Sequence, residues 1–459
     1  DTAALLELAR IFEGRASNAT IVLASIDGSS LGDAGARHLY ETVRQQGPVR
    51  AIIVLSNLAA STSRGPLVVQ WSNDATRGSI GLQRTAVASL REELGGLPGD
   101  ESWAGQLARL AFPLAIGAQG VLNEAGATAV RISGSGELPP PPERRDVEDA
   151  NVERFADLGR GVLRLATALD GKRGPEHGPS SYIIGVRNVM PGWAITLLAA
   201  ALLLPPLVAS VDAAARARRR RARLAGWWAW TLLAAVPPLI GLLLAEFLVL
   251  VGQAPQAPSA PPVPSDFPFG GGAALTLALV AAAVVLSWLL VRPELIRRAG
   301  AIASADSPGA GAATALALSL AGVAVLVLNP FAALVLVPAI HLWMLAMVAD
   351  TRPGVTAALV AGGLLGPGLV AVYYLARLDL GPLEGAWYLF LLVTGGHVGV
   401  VGTLLGVLLL ALLAAVVAVA AARIRAAQAP PRPSGPRIRG PASYAGPGSL
   451  GGTESALRR

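Results

Sequence analysis

From residue 193 onward the chain is a succession of apolar stretches, 193–211, 227–251, 272–291, 311–328, 331–349, 354–375 and 386–422. Most are close to the roughly 20 residues that carry an α-helix across a hydrocarbon core about 30 Å thick. Backbone polar groups find no water in that core, so segments of this kind must close their own hydrogen bonds as helices. Hydrophobic residues make up 53% of the 459-residue chain and charged residues only 15%, more apolar surface than one soluble globule can bury. A simple soluble enzyme is excluded and a multi-pass membrane protein is expected. The last stretch is too long for one straight crossing at about 1.5 Å per residue, and Gly395, Gly396, Gly399 and Gly402 interrupt it. Its first half lies in the interface or re-enters, or the stretch crosses twice, which gives seven or eight spans.

Charge orients these spans. Arg216, Arg218, Arg219, Arg220, Arg221 and Arg223 follow the first of them, and such clusters stay on the cytoplasmic side. Alternation then places the N-terminal region outside, Arg292, Arg297, Arg298 and Arg352 inside, and the Pro-rich loop 254–269 outside. Arginines at 423, 425, 432, 437 and 439 favour an inside C-terminus, hence seven crossings. The net charge of +7 is accounted for by these topogenic clusters, so the expected partner is a lipid bilayer, that of the plasma membrane, and not nucleic acid. The tail from 424 to 459 is rich in Pro, Gly and Ser, and disorder is expected there.

Residues 1–181 have soluble composition and the alternation of an α/β domain with a mostly parallel sheet. Helices are expected at 3–12, 33–46, 80–94, 104–110 and 152–169, and strands at 20–26, 51–55, 67–71 and 129–132. Pro139 to Pro142 form a stiff connector, and 182–192 link the domain to a transmembrane region at 193–423. The chain starts at Asp1 with no charged-then-apolar leader before the first helix, which suggests a processed or truncated start. With no cysteine there is no disulfide, thiolate nucleophile or Cys-bound zinc.

Three segments together resemble the M28 family of zinc aminopeptidases, in particular its members that carry many membrane spans after the peptidase domain. They are DTAALLELARIF at 1–12, TIVLASIDGSSLGDAGARHLYE at 20–41 and AIGAQGVLNEAGATAVRISGSGE at 115–137. The resemblance covers residues 1–169 and implies a truncated M28-like α/β fold. The family's chemistry requires two zinc ions held by His and carboxylates, with a Glu as base. Where the family has a Glu pair, this chain has Ser29 and Ser30; where it has a later Asp and His, this chain has Asn57 and Gln119. A serine hydroxyl is un-ionised near neutral pH and ligates zinc poorly. The resemblance therefore implies a degenerate site with no cofactor, and a protein that binds a peptide or protein ligand at the outer face without cutting it.

Alternatives remain open. An active zinc aminopeptidase would need ligands from upstream, with Asp27 and Asp33 standing in near Ser29 and Ser30. Gly28 to Gly32 also matches G-x-S-x-G, in which Ser30 would need His177 and Asp157 or Asp170 as partners. A transporter would place function in the bundle, where Glu246, His341 and His397 are isolated ionisable residues. Glu246 is expected to reach the interface and His341 to bond between helices. His38, Glu92, Glu93, Glu148 and Asp149 are expected on solvated faces. Aromatics such as Trp193, Trp227, Trp387 and Tyr388 are expected at span ends.

Overall fold

The computed structural model describes residues 1–63, 65, 67–96, 101–140, 150–171, 178–185, 188–222, 224–300, 308–348 and 352–428. Arg223, Pro141, Pro142, Glu148, Asp149, His177 and the tail from 429 lie outside these. The protein is mostly helical and carries a small three-stranded sheet in its N-terminal module.

That module begins with α1 (Thr2–Phe12), a turn of 3-10 helix (Ser29–Leu31) and α2 (Ala34–Gln46), which lead into strand β1 (Ile52–Ser56). β2 (Val68–Val69), α3 (Ile80–Leu94), α4 (Trp103–Ala111), α5 (Ala118–Glu124), β3 (Ala129–Ser133) and α6 (Val152–Asp170) follow. β3 is central and fully buried, with β1 parallel on one side and β2 antiparallel on the other. Its side chains alternate between faces. Val130 and Ile132 pack with Leu82, Ala86 and Leu90 of α3 and Leu158, Val162 and Leu165 of α6, whereas Ala129 packs with α2 and α5. Arg131 therefore belongs to the α2/α5 face. Ser102 and Asn151 cap α4 and α6 by accepting from the amides of Gly105 and Arg154.

The five expected helices match to within a residue or two and the strands expected at 51–55 and 129–132 form β1 and β3, whereas α5 was not expected and the other two strands differ. Residues 20–26 form no strand: they run along the surface with Val22 and Ile26 exposed. A β-rich apolar run becomes a strand only where a neighbour pairs with it. The strand expected at 67–71 contracts to two residues and runs antiparallel, so the sheet is mixed and not mostly parallel. Only 57–67 separate it from β1, too short a stretch for the dozen or more residues of a parallel crossover. The expected linker 182–192 holds a hairpin of β4 (Tyr182–Ile184) and β5 (Val189–Pro191).

The hairpin runs straight into α7 (Gly192–Arg219). α8 (Ala225–Ala234) and α9 (Val236–Leu250) make a second span, and α10 (Gly271–Leu286) continues through a π-helical turn into α11 (Arg292–Arg298) as a third. α12 (Pro308–Leu328), α13 (Pro330–Val348), α14 (Pro353–Gly363), α15 (Leu365–Leu378), α16 (Pro382–Thr394) and α17 (Gly399–Gln428) complete the described chain. Among the described residues six helices are long and apolar enough to cross a membrane, or seven if α14 and α15, bent by 47°, form one span. The long final stretch thus resolves into the short α16 and the 30-residue α17, whose helix includes residues 424–428 of the expected disordered tail.

α7, α12, α13 and α17 form the bundle core through small residues such as Ala199, Ala313, Ala321 and Ala339, which allow close backbone approach. The bend between α14 and α15 falls four residues before Pro367, whose ring cannot accommodate the Gly363 carbonyl of a straight helix. Trp343 of α13 fills the bend and donates to the carbonyl of Val360 at 3.0 Å. Of the aromatics expected at span ends, Trp193 and Trp227 stand at the starts of α7 and α8, the first exposed and the second buried in the bundle, while Trp387 and Tyr388 of α16 are buried and bond the 254–269 loop. His341 bonds the Val337 carbonyl of its own helix, not a neighbouring one. Glu246 is exposed on α9. Glu92 is exposed as expected and Glu93 is partly covered, and the two pair at the surface with Arg164 and Arg160 of α6.

Candidate functional site

A helix leaves its last carbonyls without intrahelical partners. At the end of α4 the bundle supplies them. Asn329 donates its side-chain amide to the carbonyls of Leu110 and Ala111 at 2.8 and 3.2 Å, while its Oδ1 accepts from the amides of Phe331 and Ala332 at the start of α13. The Tyr374 hydroxyl donates to the Phe112 carbonyl at 2.6 Å, and a ring nitrogen of His397 bonds the Pro113 carbonyl at 2.9 Å. The module is thereby locked to the bundle along 110–113.

Beside this lock lies a buried charge cluster. Arg109 of α4 is 1% exposed at its side chain and grips Glu137, itself 3% exposed, through both terminal nitrogens. Its Nε donates to Glu101 at 3.0 Å and to the Tyr373 hydroxyl at 2.8 Å. Arg377 of α15 donates Nε to Glu137 at 3.0 Å, and Arg131 of β3 donates to the Glu137 carbonyl at 2.8 Å. Burial raises the Glu137 pKa, but the attraction of Arg109, Arg377 and Arg131 outweighs it and holds the carboxyl down at about 2. Burial pulls the Arg131 pKa below its usual value. Nε of Arg131 and Nη2 of Arg377 are buried without a hydrogen-bond partner.

Asp33 faces Arg131 from the start of α2, in a left-handed backbone conformation and with no capping bond from its side chain. Burial raises its pKa to about 6, and Arg131 only partly offsets this. A carboxyl that is easier to protonate when folded is most favourable at low pH, and its cost grows as pH rises from the ordinary 3.8 through about 6. Asp33→Asn is therefore expected to stabilise the protein by about 1–2 kcal/mol at pH 7.5 and to be neutral near pH 4. Melting temperatures of both forms across that range check this; equal differences at both ends would refute it.

The four positions implied by the resemblance are distributed unevenly. Asn57 leaves β1 with φ +51° and donates to the hydroxyls of Ser56 and Ser135, both at 3.2 Å. The Asp1 carboxylate accepts from the amides of Asn57 and Leu58. Gln119 is fully buried in the first turn of α5 and donates to the Ile116 carbonyl, leaving Oε1 unpartnered. Gly117 separates it from Arg131: a Cβ there would lie 2.5 Å from the Arg131 guanidinium and 3.1 Å from Gln119 Oε1. Gln119 thus approaches the charge cluster through Arg131, whereas Asn57 reaches Ser135, which bonds the Leu138 carbonyl. Ser29 is exposed in the 3-10 turn, whose backbone also contains Ser30. Asp27 accepts from its neighbour Gly28, and His38 is exposed. Among the described residues, no three His, Asp or Glu side chains gather as a metal site would require.

A cavity of about 320 Å³ opens next to the cluster. The module contributes Thr62, Ser135 and Leu138; the 254–269 loop contributes Phe267 and Phe269; α16 contributes Trp387 and Tyr388. Asp379 and Glu384 give it an acidic edge, Glu384 also accepting from the Gly381 amide at 2.6 Å. The aromatic wall is fixed by bonds from Trp387 to the Phe267 carbonyl and from Tyr388 to the Pro262 carbonyl.

Arg109, Arg131, Glu137, Tyr373 and Arg377 were not singled out by sequence reasoning. Their signal was an arginine inside an otherwise apolar strand, AVRIS, and another on the apolar helix WAGQLARLA, each of which demands a buried partner. No protein-family model matches the chain, and no curated protein matches it.

Proposed function

We propose that the protein is a non-catalytic, M28 peptidase-like membrane protein whose outward-facing module captures an extended peptide without cleaving it. The observation that carries this reading is the cavity walled jointly by module, proline-rich loop and α16, an aromatic slot with an acidic edge at a domain junction, where ligand sites are commonly found. Its chemistry suits an aromatic side chain accompanied by a basic or free amino group. Ser29 and Ser30 in place of a carboxylate pair favour binding over hydrolysis. The arginine-rich ends of the spans favour an outward module in a plasma membrane.

Photo-crosslinkable tetrapeptides with a free amino terminus and one aromatic residue are expected to label 262–269 or 378–388 in the full-length protein. Phe269→Ala should weaken that labelling about tenfold. Purified protein should release no amino acids from the same peptides and hold no stoichiometric zinc. Hydrolysis with bound zinc, or labelling unaffected by Phe269→Ala, would overturn the proposal.

A further inference from the structure

A second cavity of about 320 Å³ lies at the opposite end of the bundle, where α7 finishes. Ala209, Ala213 and Arg216 of α7 and Arg220, which caps its C-terminus, line it at helical spacing, the two arginines about a turn apart. Arg423 of α17 closes it from across the bundle. Gly311 and Ala312, from the first turns of α12, line it as well. Gly311 also sets the position of Arg423: a Cβ there would lie 3.2 Å from the guanidinium, close enough to displace it. The remaining wall includes Met344 and Met347 of α13, apolar and adaptable.

Among the described residues no carboxylate lines this cavity. Arg216 pairs with Asp212 on the helix exterior at 2.9 Å. Among the described residues Arg220 and Arg423 have no ion-pair partner. Three arginines converge beside an apolar wall at the arginine-rich end of the bundle, where α7 finishes. We propose that the cavity binds the phosphate of an anionic membrane lipid, held by Arg216, Arg220 and Arg423, with the acyl chains along Met344 and Met347. Basic pockets between membrane helices provide this chemistry, and a free phosphate would share the charge recognition but not the apolar wall.

The test is native mass spectrometry of the full-length protein in neutral detergent with added dioleoylphosphatidylglycerol. Wild type is expected to retain the lipid. Arg220→Gln combined with Arg423→Gln should reduce retention about tenfold or more, because each arginine near a headgroup contributes a comparable share. Arg218→Gln with Arg219→Gln removes the same charge away from the cavity and should change retention less than about twofold. Gly311→Leu keeps the charge but displaces Arg423, and should reduce retention as well. Equal losses in the two double variants would reduce the effect to bulk attraction and refute the site. Displacement of the lipid by millimolar inorganic phosphate would reassign the site to the free anion, and no retention by wild type would refute it outright.

Discussion

Glu137→Ala is expected to destabilise the protein by about 3–5 kcal/mol, because it removes the carboxylate that Arg109 grips and leaves that guanidinium buried with only Glu101 as counter-charge. Arg131 and Arg377 lose the same counter-charge, and of the two only Arg131 keeps a neighbouring carboxyl in the cluster, that of Asp33. The loss should appear as a lower melting temperature of the full-length protein and as new proteolysis near 110–116, the segment the cluster holds against the bundle. Arg377→Ala, at a site 19% exposed, should cost less, since water can reach what remains. The pH dependence has a definite sign. The Glu137 pKa is depressed from 4.5 to about 2, so its contribution is fully present above 4.5 and disappears as pH falls towards 2. Wild type should lose stability across that window, and Glu137→Ala should lack this component. A variant melting with wild type would show that the cluster contributes nothing.

Gly134→Val should be of similar severity for a different reason. Gly134 lies just beyond β3, where the exit from β1 passes so closely that a Cβ would stand 2.2 Å from the Asn57 carbonyl oxygen and 2.9 Å from that of Leu58. Both obstacles are backbone, fixed by the parallel pairing of Ser56 with Ser133 and by the Gly134 amide, which donates to the Ser56 carbonyl at 3.1 Å. Neither can swing aside as a side chain would. The expected cost is about 3 kcal/mol or more, read as a loss of cooperative melting of the module in the full-length protein. Because Asn57 and Ser135 flank this contact and bond each other, the same substitution should also abolish peptide labelling at the junction cavity. A folded, labelling-competent variant would mean that the two strand exits are free to separate.

Helices and membrane segments were legible in the sequence because their physics is periodic and local. The 3.6-residue pattern of α3 and α6 and the long apolar stretches after 192 need no knowledge of distant residues. Strands failed where pairing, not composition, decides. Residues 20–26 have strand composition and no neighbour, whereas Val68 and Val69 are a strand only because β3 lies beside them. Asn57 and Gln119 could be named from the resemblance, but the buried cluster could not be assembled: Glu137 and Arg377 meet across 240 residues. The partner of His341 was illegible for a related reason, lying one turn away in its own helix, and residue type alone does not reveal that Trp227, at the start of its span, is buried in the bundle.

The bonds from Asn329, Tyr374 and His397 to the carbonyls of 110–113 carry a practical consequence. Composition invites cutting the chain near 181 to obtain a water-soluble fragment. Such a fragment would present the stump of α4 with its terminal acceptors bare, and would leave Arg109 without the phenol it shares with α15. The natural seam for protein engineering is therefore not the change in composition along the chain; module and bundle satisfy each other's buried polar groups and are best produced together.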